Sequence, residues 1–192
     1  MGLNGSIFDA INGLAGNNRA LDDVMKFSAQ YLVYIVVALV VVSWFVRGVS
    51  REETRLGVYT AVLATIMALA LAKIIQHYYV YERPFVTRAD VTLLVDHAPD
   101  TSFPSEHTTG AFALATGLGL YRRAWGLLLI ALACVMAFAR VFVGIHWPAD
   151  VAGGAAIGIA VAVALWFARP ILEWLDRSVL MRIVPAPLRR YV

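Results

Sequence analysis

Two of the four histidines in this 192-residue chain, with two arginines, an aspartate and a serine, stand at the ends of apolar stretches. Their types define a short menu of chemistry. Arg83 and Arg140 offer planar forks, the side chain best matched to the oxygens of a phosphate. His107 and His146 can serve as acid, base or nucleophile, because imidazole titrates near neutrality. His146 and Asp150 are one helical turn apart, and Pro148 between them is well placed to open a helix. That spacing lets the carboxylate reach the near ring nitrogen and leaves the other free for attack. Ser105 follows Phe103-Pro104 just ahead of an apolar run, close to a helix N-terminus whose unpaired N–H groups favour an anion. No glycine-rich phosphate loop or nucleotide-binding fingerprint accompanies these residues. A phosphoryl group held by arginines and attacked by histidine is the simplest chemistry the set supports.

The elements that must position these groups are membrane helices. Hydrophobic residues make up 60% of the chain and charged residues 15%, against roughly 45–50% and about 25% in soluble domains. Five charge-poor runs stand out: Phe27–Val46, Leu56–Ala72 with a continuation to Tyr81, His107–Tyr121, Ala124–Ala139 and Val151–Ala168. A span needs about 20 residues, so the third and fourth runs are short unless each helix continues past its polar end into a protein-lined or wet cavity. Helix rise serves as a depth gauge. Measured from Arg55, Arg123, Arg122 and Arg169 respectively, Lys73, Arg140, His107 and Asp150 all lie roughly 22–29 Å away from one face. Four helices therefore deliver ionisable groups to one level near the outer edge of the hydrocarbon, with Arg83 and Arg88 in the loop above. Snorkelling accounts for a lysine or arginine at such a depth, but not for two histidines and an aspartate beside them.

The predicted architecture is an all-α integral membrane bundle of about five transmembrane helices, forming a single domain over residues 1–192, with interfacial helices at both ends. Leu3, Ile7, Phe8, Ile11 and Leu14 recur at helical spacing within 1–18. Residues 171–192 mix apolar positions with Arg177, Arg182, Arg189 and Arg190, as suits a helix on an anionic cytoplasmic leaflet. Arg47, Arg51, Arg55, Arg122, Arg123, Arg169 and these tail arginines fall on one side of the membrane. Arg19, Lys26, Lys73, Arg83, Arg88 and Arg140 fall on the other. The positive-inside rule makes the first side cytoplasmic. The excess of 16 Lys+Arg over 13 Asp+Glu is scattered between apolar runs, which excludes nucleic acid as a partner. Cys134 stands alone in an apolar run, so neither a disulfide framework nor a cysteine metal site is expected. No signal peptide is expected at the N-terminus. Gly110, Ala113 and Gly117, and again Gly154 and Gly158, form small-residue stripes of the kind that let helices approach in lipid.

Three spaced motifs now give a resemblance. Glu82-Arg83-Pro84-Phe85, then Pro104-Ser105-Glu106-His107, then Arg140-x5-His146-x3-Asp150 resemble the signatures of the phosphatidic acid phosphatase type 2 superfamily, in order along the chain. The stretch Ser102-Phe103-Pro104-Ser105-Glu106-His107-Thr108-Thr109-Gly110 is similar to the bacitracin-resistance type of undecaprenyl pyrophosphate phosphatase. So is Ala10-Ile11-Asn12-Gly13-Leu14 followed by Leu21-Asp22. The resemblance implies that His146 is the nucleophile, oriented by Asp150, with His107 the acid for the leaving group. It also implies that Arg83, Ser105 and Arg140 hold the phosphate, with no metal and no cofactor. The implied substrate is a polyprenyl pyrophosphate among membrane lipids, cleaved to recycle the carrier of cell-wall synthesis. The implied place is the inner (plasma) membrane, with the active site facing the periplasm or cell exterior. Three positions depart from the pattern. Gln76 stands where a lysine is usual, with Lys73 one turn earlier on the same face. Glu106 replaces a common glycine, and Ala139 a serine. Lys73, Gln76 and Glu106 are therefore candidate auxiliary residues.

Rival readings follow from the same residues. Glu106, His107, His146 and Asp150 include metal-ligand types, but two arginines at the site would repel a cation. A non-enzymatic lipid transporter would also bury charge, yet neither broken-helix pairs nor inverted repeats are evident. Phosphatidylglycerophosphate and phosphatidate are the alternative substrates.

Overall fold

The computed structural model describes residues 2–46 and 50–180, and every regular element in them is helical. Arg47 and the tail arginines Arg182, Arg189 and Arg190 lie outside the described residues, so the predicted tail is only partly visible. The elements are α1 (Leu3–Asn12), α2 (Arg19–Phe45), α3 (Arg51–Tyr78), α4 (Pro84–Thr87), α5 (Glu106–Gly119), α6 (Arg123–Phe142), α7 (Pro148–Phe167) and α8 (Arg169–Leu175), after which Asp176–Leu180 forms a wider helical turn. Four of these, α2, α3, α6 and α7, are long and apolar enough to cross a membrane. The sequence predicts about five, and α5 is the one that falls short in length. With 14 residues it extends only about 21 Å, short of a ~30 Å hydrocarbon core. It can be short because it is the axis of the bundle. Residues Thr108 to Ala115, Gly117 and Leu118 are all buried, with α2, α3, α6 and α7 packed around them.

Local sequence explains the boundaries. Asn18 caps α2 by accepting from the N–H groups of Ala20 and Leu21, and Ser50 caps α3 by accepting from Glu53. Pro84 and Pro148 open α4 and α7, where a missing N–H costs nothing. The buried face of α3 is an alanine stripe, Ala61, Ala64, Ala68 and Ala72, which brings its backbone close to α5. On α2, Leu32, Val36 and Val40 face the core, while Tyr31, Tyr34 and Val41 face outward. Lipid solvates such outward apolar side chains, so their exposure in the isolated chain is the expected pattern for a membrane helix.

The glycine stripes act as contacts between backbones. A methyl group at Gly154 would sit 2.7 Å from the Ser105 carbonyl, and one at Gly158 would sit 2.8 Å from the Ala113 nitrogen. At Gly117 it would meet the Ala61 Cα at 2.5 Å. Gly110 is different, since its nearest neighbours would lie at ordinary contact distance, 3.7 Å or more.

The two ends of the bundle differ in their contacts. At one end Arg122 donates to the Ser43 carbonyl, Arg169 lies over the Tyr121 ring, and Thr60 meets the Tyr121 hydroxyl. The segment after α8 does more than lie on a surface. Asp176 is fully buried and accepts two hydrogen bonds from Arg55, at 3.1 and 2.8 Å. At the other end α1 is also more than interfacial. Phe8 packs on Trp147 with ring centroids 5.0 Å apart, and buried Asn12 donates to the carbonyls of Thr92 and Phe142. Leu3 and Ile7 on α1, and Leu14 just after it, remain exposed.

Substituting Gly158→Ala should lower stability by about 1–3 kcal/mol, the usual range for overpacking, whereas Gly110→Ala should be neutral or stabilising. Thermal unfolding of both variants in one detergent checks the contrast.

Candidate active site

The turn between α6 and α7 holds His146, buried with 2% of its surface exposed. Gly144 in this turn has φ +86°, a backbone conformation that favours glycine. Arg140, in the last turn of α6, points a guanidinium nitrogen at His146 Nε2 from 3.2 Å. Arg83, from the loop between α3 and α4, does the same from a different side, also at 3.2 Å. On the far side of the ring, His146 Nδ1 lies 3.3 Å from Asp150 Oδ2. That oxygen also accepts from the Trp147 N–H at 2.7 Å and from the Ser102 hydroxyl. Both neighbours of Nε2 are obligate donors and the carboxylate is an acceptor, so the donor types assign the proton to Nδ1 and a lone pair to Nε2.

Each arginine is fixed by acceptors. Arg83 donates from Nε to Asp100 at 2.8 Å and from its terminal nitrogens to the carbonyls of Ile145 at 2.8 Å and Thr101 at 3.3 Å. Arg140 donates to the Ala29 carbonyl on α2 at 3.2 Å, while its buried Nε has no partner among the described residues. Two guanidinium groups thus converge on one imidazole nitrogen at the wall of a cavity of about 190 Å³. Lys73, Gln76, His97, Asp100, Glu106 and His107 line the rest of it, with Pro104. Burial and the charges of Arg140 and Arg83 push the His146 pKa well below the ordinary value, so the ring is neutral. His97, half-buried beside the same arginines, is shifted down as well, with desolvation the larger cause.

Most of the residues singled out by sequence come together here. Arg83, Arg140, His107 and His146 share one cavity, and Asp150 stands directly behind His146. Lys73 and Glu106 form an ion pair of 2.5 Å at its mouth, between α3 and α5. Gln76 donates to the Pro104 carbonyl at 3.1 Å, so it ties α3 to the loop before α5. Ser105 lies beside this group. It is fully buried at the start of α5, outside the cavity lining, and its hydroxyl accepts from Thr108 at 3.1 Å. Its N–H donates to the Asp150 carbonyl at 3.1 Å, which joins the starts of α5 and α7. Arg88 is held by Asp9 and Asp90, away from the cavity. Sequence reasoning missed His97 and Asp100 and gave Ser102 no role. Their signal was a run of polar residues, His97-x-x-Asp100-Thr101-Ser102, directly ahead of the Pro104-Ser105 motif.

A family model, the PAP2 superfamily, matches residues 57–173, which hold every residue of this cavity. The chain belongs to the PAP2 superfamily. Among relatives of this PAP2 chain, the Bacillus licheniformis protein named bacitracin transport permease protein BcrC is 33% identical over 96% of this chain and 92% of its own length. The undecaprenyl-diphosphatase BcrC of Bacillus subtilis is 35% identical over 83% of this chain and 80% of its own. Among solved structures, Aquifex aeolicus LpxE superposes with a TM-score of 0.72 and 27% identity, covering 87% of this chain and 96% of that one. A PAP2-type phosphatidylglycerolphosphate phosphatase from Bacillus subtilis superposes with a TM-score of 0.61 at 19% identity, over 86% of each chain, and shows the shared fold.

Because the His146 pKa lies below its ordinary value, the ring should stay neutral as pH falls through about 6.5. Nitrogen NMR of histidine-labelled protein in detergent checks this. His146 should keep the signals of a neutral Nδ1–H ring at pH 6, and a second ring proton appearing there would overturn the assignment.

Proposed function

We propose that this protein is a membrane-bound undecaprenyl-diphosphate phosphatase, which cleaves undecaprenyl pyrophosphate to undecaprenyl phosphate and inorganic phosphate. The observation that carries the reading is the His146 ring. Its lone-pair nitrogen is flanked at 3.2 Å by two guanidinium groups and its other nitrogen is set against a buried carboxylate. Two guanidiniums around a nucleophilic nitrogen suit a tetrahedral dianion and oppose a metal cation, and Lys73 already engages Glu106. The relatives named undecaprenyl-diphosphatase support the choice of substrate.

In the proposed reaction the terminal phosphate enters the cavity and its oxygens take the free donors of Arg83 and Arg140. Nε2 of His146 attacks phosphorus, the bridging P–O bond breaks, and its electron pair leaves with the lipid monophosphate. Asp150 holds the imidazole and stabilises the positive charge that forms on it. A phosphate monoester leaves with a pKa of about 6, so it needs little help from an acid. His107 then faces a second task, taking a proton from the water that attacks the phosphohistidine on the side the leaving group has vacated. Hydrolysis releases inorganic phosphate and regenerates neutral His146. The arginine asymmetry supports an orientation with the Arg55–Arg122–Arg169 end in the cytoplasm. The cavity then faces the outer leaflet, where a long prenyl tail stays in lipid while its head group is processed.

Phosphate release should be measured side by side on undecaprenyl pyrophosphate, phosphatidylglycerophosphate and phosphatidate. The pyrophosphate should give the highest kcat/KM, rapid quench with terminally labelled substrate should leave label on His146, and His146→Gln should abolish both. A faster reaction on phosphatidate would replace the substrate, and a fully active His146→Gln enzyme would end the mechanism.

The orientation has its own check. Single cysteines at Thr92 and at Ser50, in a chain with Cys134 replaced, should differ in intact cells. An impermeant thiol reagent should label position 92 and spare position 50.

A further inference from the structure

Ser102 has no part in the proposed reaction, yet it touches the two groups on which that reaction turns. It is fully buried in the loop between α4 and α5. Its hydroxyl donates to Asp150 Oδ2, and its Oγ lies 3.4 Å from His146 Nδ1. The Nδ1 proton is therefore aimed into the gap between the carboxylate oxygen and the serine oxygen. Among the described residues the hydrogen bonds of the Asp150 carboxylate fall on Oδ2, while buried Oδ1 has no partner. The Trp147 N–H holds Oδ2 from the helix side but leaves the carboxylate free to turn about that point. Ser102 supplies a second hold from across the site.

We infer that Ser102 is a positioning residue, which locks the Asp150 carboxylate and through it keeps the His146 imidazole aimed at the phosphate cavity. The inference rests on the reading of His146 as the nucleophile. Its loop is held by other groups. The Ser102 N–H donates to the Tyr81 carbonyl at 2.6 Å, the Thr101 hydroxyl accepts from the Tyr81 N–H at 3.1 Å, and Arg83 binds both Thr101 and Asp100. None of these uses the Ser102 hydroxyl, so removing it spares the loop and loosens only the carboxylate. A ring free to tilt loses attack geometry, and misplacement by about 1 Å can cost about 10²-fold in rate. Phosphate binding through Arg83 and Arg140 is left intact.

The test is Ser102→Ala, Asp150→Asn and the double variant, assayed on undecaprenyl pyrophosphate with orthovanadate as inhibitor. In Ser102→Ala, kcat should fall by up to about 10²-fold, while KM and the vanadate inhibition constant stay within about twofold of wild type. Added to Asp150→Asn, the serine change should cost no more than about a further twofold, because its partner is already altered. Three outcomes would overturn the inference: an unchanged kcat, vanadate affinity lost in step with kcat, or losses that multiply in the double variant. The second outcome would make Ser102 a support for Arg83 through the loop. Should Asp150→Asn fail to fold, the split between kcat and vanadate affinity in Ser102→Ala decides alone. A wild-type protein inactive on every lipid phosphate would sink the proposed function, a result distinct from any of these.

Discussion

Two buried cations aimed at one neutral ring set the terms for the rest of this molecule. Arg83 and Arg140 are each about 4% exposed, and like charges brought together away from water repel strongly. The fold answers with fixed acceptors, including the Ile145, Thr101 and Ala29 carbonyls and the Asp100 carboxylate. These hold the guanidiniums without neutralising them fully. What is left over is positive field directed into a small cavity, in surroundings where a field acts at high strength. The loop between α3 and α5, the turn between α6 and α7 and the interior of α2 each contribute to that arrangement. No one of them could hold it alone.

The chemistry of the site was more legible in the sequence than its supports were. Arg83, His107, Arg140, His146 and Asp150 declare themselves because ionisable side chains are costly at membrane depth and so stand out against apolar neighbours. The helix starts at Pro148 and Glu106 followed from the proline and serine before them. His97, Asp100 and Ser102 sit in a polar loop where such residues are ordinary, and nothing in their spacing reveals that the loop folds back over His146. Ser105, ahead of a helix, reads from sequence as an anion ligand, and the structure adds its local contact with Thr108 and its bond to the α7 backbone.

Span counting from hydropathy was sound for the four outer helices and less so for the central one. A helix of 14 residues looks too short to be a span when lipid is taken as its surroundings. Its surroundings are other helices, and its polar Thr108 and Thr109 side chains bond back to Ser105 at its own N-terminus. The ends of the chain hold contacts that local pattern does not disclose. Amphipathic pattern located α1 and the segment after α8 at the membrane surface. Pattern alone does not show that Asn12 and Asp176 are buried anchors, because a long-range partner leaves no trace in local periodicity.

The interlocking of α5 with its neighbours also limits how the enzyme can move. Where Gly154 and Gly158 seat backbone against backbone on α5, and Gly117 does so against α3, there is no layer of side chains to act as a bearing. Helix shear of the kind that opens many proteins would drive main-chain atoms into one another. The α5–α7 and α3–α5 seams are thus rigid rails, and admission of a head group falls to the parts that shift at little cost. At the mouth of the cavity that means the Lys73–Glu106 pair, solvent-facing on both sides. A head group entering such a molecule would pass side chains free to swing at a doorway whose walls are backbone set against backbone.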